Sequence, residues 1–139
     1  MPHQSLDLKQ LSMRIMQIES THIAKPQDHD ILNGRGNIIN YHPGNQFFRS
    51  LVKAVRIQYV AALKPDKPMI AKLLVEQIRN LDPPGRFLTQ VEDGRYVDVG
   101  DKMAIAKTRQ ALREGAPEIE LLIKNGRILV DEKVSLVYE

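Results

Sequence analysis

Residues 46–63 read Gln-Phe-Phe-Arg-Ser-Leu-Val-Lys-Ala-Val-Arg-Ile-Gln-Tyr-Val-Ala-Ala-Leu. Phe48, Leu51, Val52, Val55, Tyr59 and Leu63 recur at helical spacing and share one face. Arg49, Lys53 and Arg56 recur at i, i+4 and i+7 and share another. The stretch predicts an amphipathic helix with an apolar stripe for a core and a basic stripe beside it. Working outward, Pro65-Asp66 breaks the chain, and Asp66 is placed to cap a second helix with Pro68 in its first turn. Ile70, Leu74, Ile78 and Leu81 form that helix's buried stripe. Asp82-Pro83-Pro84-Gly85 ends it. Residues 86–91 and 95–99 then predict a β-hairpin around Asp93-Gly94. Asp101 is placed to cap a third helix over 102–114, with Ile105, Thr108 and Leu112 inward, and Gly115 and Pro117 terminate it.

Toward the C-terminus, Leu121–Ile123, Asn125-Gly126 and Ile128–Val130 predict a second hairpin with a type I′ turn. Val134, Leu136 and Tyr138 alternate with polar residues as an edge strand. Toward the N-terminus, Leu8, Leu11, Ile15 and Ile18 fit a helix, although their β-branched members also permit a strand. Residues 19–30 are polar, hold Pro26 and read as a linker. Asn33-Gly34-Arg35-Gly36-Asn37 reads as a tightly shaped loop, because Gly and Asn tolerate positive φ. Ile38-Ile39 suggests a short buried segment. In His42-Pro43-Gly44-Asn45 the proline keeps His42 out of helical conformation, and Asn45 is placed as an N-cap.

The expected fold class is α+β: three or four helices with a β-hairpin in winged-helix-like order, plus a C-terminal hairpin. The expected organisation is an N-terminal helix and linker over 1–29, a core domain over 30–115 and a C-terminal β-hairpin or edge strand over 116–139. A chain of 139 residues fits one domain with a real hydrophobic core. It has 0 Cys, so disulfides and cysteine zinc sites are excluded. No apolar run is long enough to span a membrane, and the first residues lack a secretory layout. A nuclear or cytoplasmic location is expected.

The net charge of +3 is unevenly spread. Residues 45–114 carry 13 Lys+Arg against 8 Asp+Glu, whereas 115–139 carry 3 against 5. The basic middle is compatible with nucleic acid.

Residues 30–115 resemble a domain of unknown function much expanded in diatoms and related algae. The resemblance is carried by Asp30–Asn37, His42-Pro43-Gly44-Asn45 with Phe48-Arg49, Asp82-Pro83-Pro84-Gly85-Arg86-Phe87-Leu88, Val99-Gly100-Asp101 and Lys107–Glu114. The family pattern usually has Ser at the place of Arg109, and often an aromatic pair near Tyr96. The resemblance implies no settled activity.

The candidate phosphate-binding residues are Arg35, Arg49, Lys53, Arg56, Arg109 and Arg113. Arg35 sits in its glycine loop, where exposed N–H groups and a guanidinium can hold an anion; the alternative is a structural turn. The basic helix stripe can contact a phosphate backbone or be a solvated face with aliphatic stems over the core edge. Lys107, Thr108, Arg109, Gln110 and Arg113 form the densest polar-basic cluster. Arg109 and Arg113, one turn apart, can grip phosphate, or Arg113 can simply complement the helix dipole. Lys67, Lys72, Arg79, Arg86 and Arg95 are the basic residues of the second helix and wing. Base-reading side chains are sparse there, limited to Gln77 and Asn80. Gly34, Gly36, Asn37, His42, Gly44 and Asn45 are expected to shape loops. His42 has no partner at metal-ligand spacing, since His3, His22 and His29 lie in the polar N-terminal part. No nucleophile set, zinc motif or cofactor fingerprint occurs, so no catalytic residue and no cofactor is assigned.

The expected function is a backbone-dominated nucleic-acid-binding module, regulatory or chromatin-associated, with duplex DNA as partner. The alternatives are a protein-interaction module using the C-terminal strands, and binding of a phosphorylated small ligand at the Gly34–Asn37 loop. Membranes are not an expected partner.

Overall fold

A computed structural model describes residues 7–130, and of residues 14–20 it describes the backbone alone. The elements in chain order are α1 (Leu8–Thr21), β1 (Ile31–Leu32), α2 (Asn37–Asn40), α3 (Pro43–Ala61), α4 (Lys67–Arg79), β2 (Phe87–Gln90), β3 (Tyr96–Asp98), α5 (Gly100–Leu112) and α6 (Ala116–Lys124). A 3-10 turn at Lys64–Asp66 joins α3 to α4. The class is α+β. The sheet has the order β1-β2-β3, with β1 parallel and β3 antiparallel to β2. Ile23 extends the free edge of β3 by one rung with Tyr96.

The apolar stripes make the core as the spacing predicts, except that Leu63 lies beyond the end of α3 and is 73% exposed. Phe48, Val52, Val55 and Tyr59 of α3 meet Ile70, Leu74 and Ile78 of α4, Phe87 of β2, and Ala104 and Leu112 of α5. Phe48 meets Phe87 edge to face, with ring centroids 6.0 Å apart, an arrangement that suits the ring quadrupoles. Thr108 of α5 is buried and its hydroxyl donates to the Ala104 carbonyl at 2.8 Å, so its polar group is satisfied within its own helix.

Asp30 lies at the centre of the joint between β1, β2 and α3. It is completely buried and every oxygen is used. Oδ1 accepts from the Arg86 Nε at 3.0 Å and the Arg86 backbone N–H at 3.1 Å; Oδ2 accepts from Arg86 Nη2 at 2.8 Å and the Gln27 N–H at 2.7 Å. The start of α3 presses directly onto this joint: a Cβ on Gly44 would lie 1.8 Å from the Asp30 carbonyl oxygen, so only glycine fits there.

Several expectations are corrected. Asn45 does not cap α3; His42 holds the N-cap position and Pro43 opens the helix. The buried Asn45 side chain instead accepts from the Leu32 N–H at 2.8 Å and donates to the Leu32 carbonyl at 2.9 Å. It thereby pairs the outer edge of β1 as a neighbouring strand would. Ile38-Ile39 is part of the short helix α2 rather than a buried segment, and Ile38 is 86% exposed. Asp66 holds the N-cap position of α4 without a side-chain cap bond. At the start of α5, Asp98 rather than Asp101 accepts from the Gly100 N–H, at 2.8 Å. Helix α1 runs to Thr21, into the stretch read as linker.

The largest correction concerns residues 116–130. The expected hairpin is absent among the described residues, and its first arm is α6. Pro117 suits a first helical turn, and Glu118 and Lys124 complement the two ends of the helix dipole. Asn125-Gly126 forms a helix cap in place of a hairpin turn. Gly126 has φ 72°, its N–H reaches the Ile123 carbonyl at 3.1 Å, and the Arg127 N–H reaches Leu122 at 2.9 Å. That is the Schellman pattern of bonds. The predicted edge strand at Val134, Leu136 and Tyr138 lies outside the described residues.

Candidate anion-binding cleft

The basic stripe of α3 does not face open solvent uniformly. Arg49, Lys53 and Arg56 line a cavity of about 420 Å³, bounded by β1, the Gly34 loop, α2, α3 and α5. Its floor is apolar: Leu32, Ile39, Phe48 and Val52. Across it, α5 presents Lys107, Ala111 and the following Glu114 at i, i+4 and i+7. The rim therefore holds four cations from two helices against one carboxylate.

These cations are poorly neutralised. Lys107 reaches over the Phe48 ring at 6.0 Å and forms no ion pair among the described residues. Burial in this setting lowers its pKa, as desolvation does to an ammonium without a counter-charge. Arg56 donates from Nη2 to the Ala111 carbonyl at 3.2 Å and meets Glu114 only at 3.7 Å. Its buried Nε has no acceptor among the described residues, an arrangement that costs free energy unless an acceptor arrives. Arg49 donates to the Asn40 carbonyl, bracing α2 against α3. Lys53 is exposed and makes no ion pair among the described residues.

The loop before α2 contributes Gly34 to the lining. Gly34 and Gly36 have φ of 131° and 110°, which side-chain-bearing residues rarely adopt. Arg35 lies between them, exposed and without an acidic partner among the described residues, and Asn37 opens α2. His42 lies outside the cleft; its Nε2 donates to the Gln27 carbonyl at 3.0 Å, the structural role that its helix-entry position suggests.

Arg109 and Arg113 are on the other flank of α5. Thr108 and Leu112 point into the core, so Lys107 and Ala111 fall to one side of that stripe and Arg109 and Arg113 to the other. Arg109 donates from Nε to the Tyr59 hydroxyl at 3.3 Å, and Arg113 is exposed at the end of the helix. Neither lines the cleft. Most cations of α4 and the β2–β3 region meet a carboxylate, the exception being Lys67, which lies over the Tyr59 ring at 5.7 Å. Arg79 makes a bidentate pair with Asp98 and reaches Asp101 at 3.1 Å; Arg86 holds Asp30; Arg95 holds Asp93 across the hairpin turn; Lys72 pairs with Glu76 within α4. Lys107, which the sequence placed in the basic cluster of α5 but not among the candidate phosphate contacts, is the cleft cation that sequence reasoning did not select. The inward Thr108 fixed the phase of α5, but nothing local told which flank faces α3.

Fold and cleft together define a small α+β domain with a cation-rimmed, apolar-floored cleft. The chain belongs to the family described as Domain of unknown function (DUF6824), which matches residues 30–114. No curated protein and no solved structure matches the chain. Among the described residues, no helix is long and apolar enough to cross a membrane.

Proposed function

We propose that this domain binds nucleic acid through its phosphate backbone, as a regulatory module on DNA. Arg49, Lys53, Arg56 and Lys107 supply the contacts, and the exposed Arg35 on the adjoining loop adds positive charge nearby. The observation that carries this reading is the convergence of four cations from α3 and α5 on one cleft that offers a single carboxylate, Glu114, in return. Phosphate contacts of this kind fix position without reading bases, which fits the sparse base-reading side chains. The test is fluorescence anisotropy of labelled DNA of mixed sequence at several salt concentrations. Four phosphate contacts give a log–log salt slope of about −3.6 on duplex DNA and about −2.8 on a single strand. Arg49→Glu with Lys53→Glu removes binding and keeps the fold. Binding unaffected by that pair, or insensitive to salt, rules the reading out.

A second reading, contact with a protein partner, is favoured by one observation. Helix α6 buries no residue, and Leu121 on it and Leu129 just beyond it are exposed. Sedimentation of the purified chain with and without Leu121→Lys and Leu129→Lys tests whether that face drives association.

A further inference from the structure

The cleft is one of two hollows that share a wall. On the other side of Arg49 and Lys53 lies a second, more open hollow of about 360 Å³, lined by Tyr41, Gln46 and Ser50 as well as those two cations. Tyr41 stands at the end of α2 and is 72% exposed, and its ring packs against no other aromatic among the described residues. A large aromatic ring left to solvent beside two cations is an arrangement that binds planar groups carrying negative charge.

Arg49 and Lys53 thus form a ridge between two cavities. One has an aliphatic and aromatic floor, with Phe48 at its base; the other has an open tyrosine face. A duplex keeps its bases stacked inside and presents phosphates on a convex surface, so it can touch the ridge but cannot fill either hollow. A single strand has rotatable, unstacked bases, and its phosphates can lie on the ridge while successive bases turn to either side. Resting on the nucleic-acid reading above, we infer that the polymer this face takes is single-stranded, with phosphates on the Arg49–Lys53 ridge, one base stacked on Tyr41 and a neighbouring base in the cleft over Phe48.

The experiment compares three labelled ligands by anisotropy in the same buffer: a 12-nucleotide single strand of thymidines, a duplex of equal length, and a 12-nucleotide abasic strand that keeps the phosphates. The full chain and its Tyr41→Ala and Tyr41→Phe variants are titrated against each. The thymidine strand binds at least tenfold more tightly than the duplex and the abasic strand. Tyr41→Ala weakens the thymidine strand by roughly five- to a hundredfold, the range for loss of one stacking platform, and leaves the duplex unchanged. Tyr41→Phe retains the affinity, since stacking does not need the hydroxyl. Equal affinity for the three ligands, or a thymidine affinity indifferent to Tyr41→Ala, overturns the single-strand inference while leaving backbone binding in place. Absence of binding to all three overturns both.

Discussion

The joint around Asp30 and the cleft along α3 are built from the same residue types and treat charge in opposite ways. At the joint, Arg86 and Asp30 form a forked pair, two backbone N–H groups complete the carboxylate, and Gly44 lets the α3 backbone close over it. Arg79 repeats the theme nearby: it pairs with Asp98 and Asp101 while its guanidinium lies 5.5 Å from the Phe87 ring centroid. In the cleft, by contrast, Lys107 has an aromatic neighbour and no carboxylate, Arg56 leaves a buried N–H unused, and Lys53 and Arg35 pair with nothing acidic among the described residues. The domain pairs Arg79, Arg86 and Arg95 with carboxylates yet leaves the cleft cationic, and so separates cations that hold the fold from cations with room for an anion. The region that matches the family, residues 30–114, spans both sides of this division. Asp30, Gly44, Asn45, Arg86 and Phe87 belong to the joint, and Gly34, Arg49 and Lys107 to the cleft.

The strongest way to break the contrast is at the joint. Asp30→Ala strips the acceptor from the Arg86 guanidinium and from two N–H groups in a buried setting, and it lowers the unfolding free energy by about 3–5 kcal/mol. Urea denaturation followed by circular dichroism checks this; a loss below about 1 kcal/mol would show that the joint is not what holds β1, β2 and α3 together. Gly44→Ala forces the backbones of α3 and Asp30 apart and has an effect of similar size.

A smaller effect is expected at the Arg79 clamp. Burial disfavours the Asp98 carboxylate, but the Arg79 hydrogen bonds, the Gly100 N–H and the Arg79 charge outweigh it and hold its pKa below the ordinary aspartate value. A lowered folded-state pKa means that this stability is complete above the unfolded aspartate range and is lost as pH falls through the folded value. Arg79→Met keeps most of the stacking volume over Phe87, costs about 1–2 kcal/mol at neutral pH, and flattens stability between pH 5 and 3. An acid limb of the stability curve unchanged by Arg79→Met would mean that the clamp is electrostatically idle.

How far the sequence announced each region follows from the range of the interactions involved. The helices α3 and α4 were legible because their apolar stripes are local and periodic, and the β2–β3 hairpin because Asp93-Gly94 is a short-range turn signal. The Asp30 joint was not, because its partner Arg86 lies 56 residues away and no local pattern marks an aspartate for burial. The C-terminal stretch misled because Asn125-Gly126 serves equally as a hairpin turn and as a helix cap, and the choice is made by Pro117 and Glu118 seven or more residues earlier. In the cleft, Arg49, Lys53 and Arg56 followed from helical spacing on α3. The pairing of that stripe with Lys107, rather than with Arg109 and Arg113, depended on how α5 crosses α3, which is a tertiary fact. Tyr41 gave no sequence signal of exposure, since it follows two isoleucines that pointed to a buried segment.

The smallest effects sharpen the contrast from the other side. Lys107 carries a desolvation cost because burial acts on its charged form, so its folded pKa is below the ordinary lysine value. The pH slope has the same sign as at Asp98, since a lowered folded pKa makes stability rise as pH climbs through the folded value toward the unfolded one. The difference is that at neutral pH the charged form of Lys107 is a net penalty, whereas that of Asp98 is stabilising. Lys107→Met removes the charge while keeping the chain length over Phe48. It changes neutral-pH stability by less than about 1 kcal/mol, in the stabilising direction, and abolishes the alkaline rise. The same variant weakens nucleic-acid binding and makes the salt slope shallower by about one phosphate contact. Stability and binding that move in opposite directions for Lys107→Met, but together for Asp30→Ala, are the signature of a cation kept for a partner. A Lys107→Met protein that is markedly less stable than the parent would instead place Lys107 among the residues that hold the fold.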